Sequence, residues 1–565
     1  MRIERHQVDE AAVSAAREGF ANRIGGQVHS YSRAGLITAT EWRLISEEFL
    51  DYLGALSLDT PDLHTPEAKA VLKDATEAAA GAITFAAYYP RCPFHVFLDY
   101  PNFGMSYDRK DPENADDTAH ASIVLPQRWL DALCLAILSD KVARHGEAFF
   151  HTWQDMPAGA GYSAAELVDG FMAHLFGDIR DHDTPDPATA EQRLAAIDVA
   201  LARIEDRDSE AALALHALRA VAAEDRAAFD SGLTALLQAR PLTPTARPSS
   251  LLPLLPLALA ALAHRTHGWT PSVDTDYLPH ALVTNFEPPG RTTVTWPARV
   301  DRPTPALPLH PGSEAHFESS VQEAVNPSPD DPHAVAHLAD ALSRQTLLFQ
   351  VRASQTPDVT DTQLADLRRA SQIGAALFRI ALAEPGTSVE VVIDGRTVAF
   401  PATRDDSTHP GRWHSALNFA LITGVREDLA PLVLAGPTGS AADRSVYAAY
   451  RVALHDYFRA VDPAPATEKA LYEAELAKGS GFPAPPVALL ARLVDGDQDG
   501  FNLALLDALE AHRDHYSVAD RPTDPDAAID LDVLALACHA RRRGWAINVE
   551  SPYLPPRLLR AAERR

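Results

Sequence analysis

The sequence predicts a mainly α-helical protein built from two tandem homologous domains, each with one small inserted β-hairpin. Three observations predict this fold class: a closing motif that occurs twice, an amphipathic helix that occurs twice, and a hairpin signal at the matching place in both halves. A chain of 565 residues also exceeds what one hydrophobic core usually serves. It fits two domains of roughly 250 residues each.

The closing motif consists of a helix end, a glycine, a tryptophan, a short extended run and Tyr-Leu-Pro. It occupies residues 264–279 and again residues 539–555. The corresponding residues of the two occurrences all lie 276 positions apart, namely Gly268 and Gly544, Trp269 and Trp545, and Tyr277 and Tyr553. Similarity within one chain at a fixed offset indicates an internal duplication.

The amphipathic helix extends the duplication upstream, since residues 128–137 align with 412–421 at an offset of 284. In both segments a tryptophan (Trp129 and Trp413) is followed by Ala, Leu, Ala and Leu or Ile at i+3, i+4, i+7 and i+8. These positions share one face of a helix, so both copies should bury the same side. A later helix, 229–237, matches 501–509 in the same way.

The hairpin signal is strongest in the second copy, where Asp394-Gly395 separates two runs rich in β-branched residues, 389–393 and 396–400. Asp-Gly favours the tight turn of a two-residue hairpin. In the first copy the runs 94–98 and 103–107 flank a turn in the same way. The other segments of the first copy read as helices, at 9–21, 39–56, 66–88 (with Thr65 as N-cap), 164–176, 188–203, 209–223 and 226–239.

Proline, threonine and arginine dominate residues 285–311, a composition typical of a semi-rigid connection. We therefore predict a first domain at 1–284, a Pro-rich linker at 285–311 and a second domain at 312–565.

The composition limits the classes of ligand and the cellular locations that fit this sequence. A net charge of -27 argues against nucleic acid as a direct ligand and suits a basic protein partner. Three cysteines without CxxC spacing, and a start without an apolar signal region, predict a reducing, cytoplasmic location. The longest apolar run, 251–263, is too short for a membrane span, so we expect no membrane association.

Motifs for catalysis or metal binding are weak. Residues 495–500, Asp-Gly-Asp-Gln-Asp-Gly, resemble the opening of a calcium loop, but Leu506 stands where that loop needs glutamate. A polar turn that caps the next helix is the better interpretation. The 23 histidines, including His174, His182, His512 and His515, show no metal-ligand spacing. We expect no metal, no cofactor and no catalytic residue, and we expect the four duplicated tryptophans to anchor the core.

The end of the second copy resembles the immunity 49 family of bacterial polymorphic-toxin systems. The resemblance rests on the Leu/Ala-rich helix 534–540, the turn Arg543-Gly544, and the closure Ser551-Pro-Tyr553-Leu554-Pro555. A His-and-aromatic stretch, 512–516, adds to it, and the similarity extends from about Glu314 to the end. The first copy departs from the pattern, because Arg240-Pro-Leu replaces that stretch and Thr275-Asp276 precedes Tyr277.

The resemblance implies an immunity protein, not an enzyme, that neutralises a cognate protein toxin by stoichiometric binding. Two alternatives stay open: a helical scaffold or regulatory interaction protein, and a metal-dependent hydrolase whose site is dispersed along the chain.

A basic toxin would bind to acidic residues. The first copy has two acidic, Pro-containing segments, 108–117 and 178–186. Opposite charges raise association rates. We therefore expect partner-binding residues there, namely Asp111, Glu113, Asp116, Asp117, Asp181, Asp183 and Asp186.

Overall fold

The computed structural model describes residues 2–109, 124–156, 163–176, 189–239, 247–286, 294–302, 311–328, 331–404, 406–437, 443–477 and 484–563. The described chain contains 23 α-helices and eight short strands, so the expected mainly α-helical class is confirmed. It divides into two compact units, unit 1 (Met1–Arg291) and unit 2 (Thr292–Arg565). None of the described helices is long and apolar enough to cross a membrane.

Unit 1 contains twelve described helices and four strands. They are β1 (Arg2–Ile3), α1 (Glu10–Arg17), α2 (Phe20–Ala34), α3 (Ala39–Asp59), α4 (Pro66–Tyr88), β2 (Phe94–Leu98), β3 (Phe103–Tyr107), α5 (Pro126–Leu138), α6 (Val142–Gln154), α7 (Ser163–Leu175), α8 (Ala190–Arg203), α9 (Glu210–Ala222), α10 (Arg226–Gln238), α11 (Leu254–His267), β4 (Asp274–Thr275) and α12 (His280–Val283).

Unit 2 contains eleven described helices and four strands. They are β5 (Ala298–Arg299), α13 (Pro311–Ala324), α14 (Ala334–Gln355), α15 (Asp361–Leu382), β6 (Ser388–Ile393), β7 (Arg396–Pro401), α16 (Pro410–Thr423), α17 (Arg426–Ala435), α18 (Val446–Phe458), α19 (Ala464–Leu476), α20 (Val487–Asp495), α21 (Gln498–Tyr516), α22 (Leu531–Arg542), β8 (Val549–Glu550) and α23 (Pro556–Glu563).

The order of elements is the same in the two units from α3 and α14 onwards. Each unit has two long helices, a hairpin, seven further helices, a short strand and a terminal helix. The two long helices pack on each other in both units, as do the second long helix and the helix after the hairpin. The duplication seen in the sequence is therefore a duplication of architecture, as predicted.

Both predicted hairpins form. Phe94 pairs with Tyr107 across β2 and β3, and Ser388 pairs with Pro401 across β6 and β7. The turn of the second hairpin uses Asp394 and Gly395, whose φ angles are 50° and 75°. Positive φ at both positions is what a tight hairpin turn with the right-handed strand twist requires, which is why Asp-Gly is a strong signal.

Helix ends follow the predicted capping chemistry. The Thr65 side chain accepts a hydrogen bond from the Ala68 N–H at 3.1 Å, so it caps α4 as expected. Gly268 ends α11 with φ of 68°, and Gly544 follows α22 with φ of 86°. Glycine adopts this left-handed conformation without a steric penalty, so both closing motifs begin at a helix stop.

Two of the four duplicated tryptophans lie in the cores, and the other two lie at their edges. Trp129 and Trp413 are buried, and their indole N–H groups donate to the Phe149 carbonyl at 3.1 Å and the Leu432 carbonyl at 2.9 Å. Both tryptophans thus join two consecutive helices of their own unit. Trp269 and Trp545 are only half-buried, and they pack on the rings of the buried residues Phe229 and Phe501.

The Tyr-Leu-Pro closures are also buried. Tyr277 and Tyr553 are 1% and 0% exposed. In unit 1 the Tyr277 hydroxyl accepts a hydrogen bond from the His6 N–H at 2.9 Å. The closing motif therefore meets the beginning of the chain, which the sequence pattern did not predict.

Each unit is closed by a short parallel pair of strands. Arg2 pairs with Asp274 in β1 and β4, and Ala298 pairs with Val549 in β5 and β8. Residues 298–302, which fall within the predicted linker 285–311, belong to unit 2. Val300 among them is 0% exposed.

An arginine follows each of these first strands and contacts the C-terminal end of a long helix. Arg5 donates to the Ser57 carbonyl at 3.1 Å, at the end of α3. Arg302 donates to the carbonyls of Ala353, Ser354, Thr356 and Ala528 at 2.8–3.3 Å, at the end of α14 and beyond. The last carbonyls of a helix have no partner within the helix and carry partial negative charge, so a guanidinium group stabilises them.

We predict that Arg302→Met lowers the free energy of unfolding of the protein by about 2–4 kcal/mol, because buried carbonyls lose a charged donor. Urea unfolding of the full chain measures this. Arg299→Met is the matched control, since the Arg299 side chain is 74% exposed and should change stability by less than about 0.5 kcal/mol. Equal effects of the two substitutions would contradict the assigned role of Arg302.

Candidate functional site

The acidic residues predicted to bind a partner lie outside the described residues. Asp111, Glu113, Asp116 and Asp117 fall in 110–123, and Asp181, Asp183 and Asp186 fall in 177–188. In chain order the first segment lies between β3 and α5, and the second lies between α7 and α8.

The calcium-like segment 495–500 is a connection between two helices. Gly496 ends α20 with φ of 73°, and the Asp497 side chain accepts a hydrogen bond from the Gly500 N–H at 2.9 Å. Asp497 is thus the N-cap of α21, the role that we predicted for this turn. Among the described residues, no group of three or more His, Cys, Asp or Glu side chains is placed to hold a metal ion.

Unit 1 has a charged pocket between α4, α6 and the hairpin, with a volume of about 190 Å³. Glu77, at its base, forms an ion pair with Lys141 and lies 3.5 Å from His145 Nε2 and 3.8 Å from Arg144 Nε. Burial opposes ionisation of Glu77, but hydrogen bonding to His145 and the charge of Lys141 outweigh it and lower its pKa to about 2. The carboxylate is therefore ionised and paired with cations.

The second unit lacks this charged group. Counted from the N-cap residues Thr65 of α4 and Thr360 of α15, Gln372 stands where unit 1 has Glu77. Counted from the shared tryptophans, Val425 and Leu429 stand where unit 1 has Lys141 and His145. A different buried contact forms there, since the Ser371 hydroxyl donates to Asp428 Oδ2 at 2.7 Å. The charged pocket is thus a feature of one copy and is not required by the scaffold.

Unit 2 has a polar cluster of its own near the start of α22. Asp532 accepts a hydrogen bond from Asn418 and lies 3.2 Å from His414 Nε2, while Gln350 donates to Asp526. Burial, reinforced by Asp532, raises the pKa of Asp530 well above its usual range. Tyr450 packs edge-on against His414 at a ring distance of 5.5 Å. The polar side chains of this cluster therefore contact one another.

The corresponding region of unit 1 is a cavity of about 280 Å³. Counted from the shared tryptophan, Leu130 and Cys134 replace the histidine and asparagine of unit 2, and both line the cavity. Asp131 and Glu210 also line it, and burial raises the pKa of Asp131. At this place too, the two copies share helices but not polar groups.

The helical hairpin of α18 and α19 is anchored to α22. The Tyr457 hydroxyl lies 3.0 Å from His539 Nε2, and the Phe458 ring packs edge-on against the same imidazole at 5.1 Å. Burial, together with the positive charges of Arg543 and Arg542, lowers the pKa of His539 to about 4. A neutral imidazole between aromatic rings thus holds the last turn of α18 in place.

Helix α19 exposes its large apolar side chains. Leu471 is 40% exposed, and Tyr472 and Leu476 are each 63% exposed, whereas its buried side chains are Thr467 and Ala470. Sequence reasoning missed this surface, because helical periodicity assigns the apolar residues of a helix to its buried side.

These features define a duplicated α-helical protein. Its two copies share the same arrangement of helices and differ in the polar side chains that those helices carry. A family model described as Immunity protein 49 matches residues 61–282 and 356–558. The chain therefore belongs to the immunity protein 49 family, as the closing motif implied, and one matched segment falls in each unit. No curated protein and no solved structure matches the chain.

Proposed function

We propose that the protein neutralises a cognate toxin of a polymorphic-toxin system by stoichiometric protein–protein binding in the cytoplasm, without catalysis. Membership of the family gives the general immunity role. The observation that supports this binding mode is that the two copies share structural contacts but differ in their polar groups. Arg5 and Arg302, and Trp129 and Trp413, make the same structural contacts, whereas the charged pocket of unit 1 and the polar cluster of unit 2 have no counterpart in the other unit.

A retained scaffold with divergent polar groups suits a protein that binds a partner through its surface. A catalytic site would need titratable groups held in one fixed geometry in at least one of the two copies. Substrate would also need access to those groups. The Glu77 carboxylate of unit 1 is instead neutralised by Lys141 and by its neighbouring cations. Its environment stabilises an ion pair and does not prepare a general base.

We predict that co-expression with the toxin encoded beside it rescues growth of a bacterial host, and that the two proteins co-purify as a complex of fixed stoichiometry. Growth assays and size-exclusion chromatography with light scattering measure both. An active toxin that this folded protein neither binds nor neutralises would contradict the proposal.

We also propose that the acidic residues of segments 108–117 and 178–186 steer a basic toxin toward the protein. Reversing Asp111, Asp116, Asp181 and Asp183 to lysine should slow association by about tenfold at low salt and leave dissociation nearly unchanged. The effect should shrink near physiological salt, where charges are screened beyond about 8 Å.

Stopped-flow association rates measure this steering. The matched control reverses four exposed acidic residues of unit 2, Asp340, Glu390, Asp495 and Asp507, which changes the net charge equally. Equal rates for the two charge-reversed proteins would show that only net charge matters and would contradict steering by these two acidic segments.

A further inference from the structure

Helix α19 is oriented with small side chains inside and large apolar side chains outside. Thr467 and Ala470 are its buried side chains, and the Thr467 hydroxyl donates to the Pro463 carbonyl at 2.8 Å. Leu471, Tyr472 and Leu476, which we call the α19 apolar face, are 40–63% exposed. Burial of apolar area drives folding, so a stable helix normally turns such residues inward.

The equivalent helix of unit 1 has the normal orientation. Helix α8 buries Ile197, Ala200 and Leu201, and its exposed large apolar side chain is Val199, at 50%. The reversed orientation is therefore not imposed by the scaffold that the two units share. It belongs to unit 2 alone.

The α19 apolar face is held rigidly. Helix α19 packs on α18 and on α20, and the last turn of α18 is fixed to α22 through Tyr457, Phe458 and His539. A rigid support keeps the three side chains presented before any partner arrives, so little conformational entropy is lost on binding.

The charges of α19 indicate the kind of partner. Glu468 and Glu475 are exposed beside the apolar face, Glu473 is half-exposed, and Lys469 is the one lysine or arginine in the helix. The whole chain carries -27. A second copy of the same chain would be repelled by this charge, whereas a basic protein would be attracted.

We propose that the α19 apolar face is the docking site for the cognate toxin, which would place an apolar contact patch with a basic rim against Leu471, Tyr472 and Leu476. This inference rests on the proposed immunity function and specifies the surface by which it is carried out. Tyrosine and large aliphatic residues at the centre of an interface, with charged residues around them, are the arrangement that concentrates binding energy.

The test is the double variant Tyr472→Lys with Leu476→Lys. Both side chains are mostly exposed, and the last turn of α19 has no basic residue, so lysines there also suit the helix dipole. The variant should keep its fold and raise the dissociation constant for the purified toxin by about 30-fold or more, chiefly through faster dissociation. Biolayer interferometry measures both rates.

Val199→Lys in α8 is the matched control, because it places a lysine at an exposed apolar position of the equivalent helix. It should bind the toxin as the wild type does. A double variant that binds as tightly as wild type would overturn the inference, while the wild-type complex would still support the proposed function.

The proposed function fails separately if the wild-type protein itself neither binds nor neutralises the toxin. A further outcome would also overturn the inference: a thermal midpoint of the double variant far below that of Val199→Lys would show that the face packs against the chain itself. Tyr472→Ala, which adds no charge, repeats the affinity measurement in a variant with minimal effect on folding.

Discussion

A guanidinium group at the carbonyl end of a long helix is the contact on which both units depend. Arg5 reaches Ser57 at the end of α3, and Arg302 reaches Ser354 at the end of α14, and the two pairs are equally spaced along the chain. Both arginines lie a few residues after a strand that pairs with the closing motif of the same unit. Each contact therefore connects the first strand of a unit, which pairs with the closing motif, to the end of one long helix. Burial lowers the pKa of both arginines, because it removes water from the charged guanidinium group. The hydrogen bonds to the helix carbonyls replace part of this lost hydration.

Much of the fold could be predicted from the sequence, and the reason is that its signals are local. Thr65 before Pro66 starts a helix, Gly268 stops one, and Asp394-Gly395 turns a hairpin, because each residue acts on its own backbone. The two copies could be aligned because the helix motif at Trp129 recurs at Trp413. Buried positions then followed from helical periodicity.

Long-range contacts could not be predicted in the same way. Strands β1 and β5 are two residues long, and each pairs with a segment about 250 residues or more away, so neither has a pattern that a local analysis detects. The exposure of Tyr472 had no local signal either, because an apolar residue on a helix is normally assigned to the core. The seven acidic residues proposed for partner binding were found by charge alone, and they lie outside the described residues.

The divergence of the copies suggests a division of labour in binding. Acidic segments in unit 1 would act at long range and raise the association rate, whereas the α19 apolar face of unit 2 would act at contact and slow dissociation. The two copies differ at this helix, since α19 buries Thr467 and Ala470 whereas α8 buries Ile197, Ala200 and Leu201, and α18 and α20 pack on α19.

Hydrogen–deuterium exchange of the 565-residue protein, alone and in complex with its toxin, tests this account most directly. The account predicts that toxin binding slows amide exchange in residues 464–477, which include α19, and leaves the equivalent helix α8, residues 190–203, unchanged. A complex in which α8 is protected and residues 464–477 exchange as fast as in the free protein would contradict it.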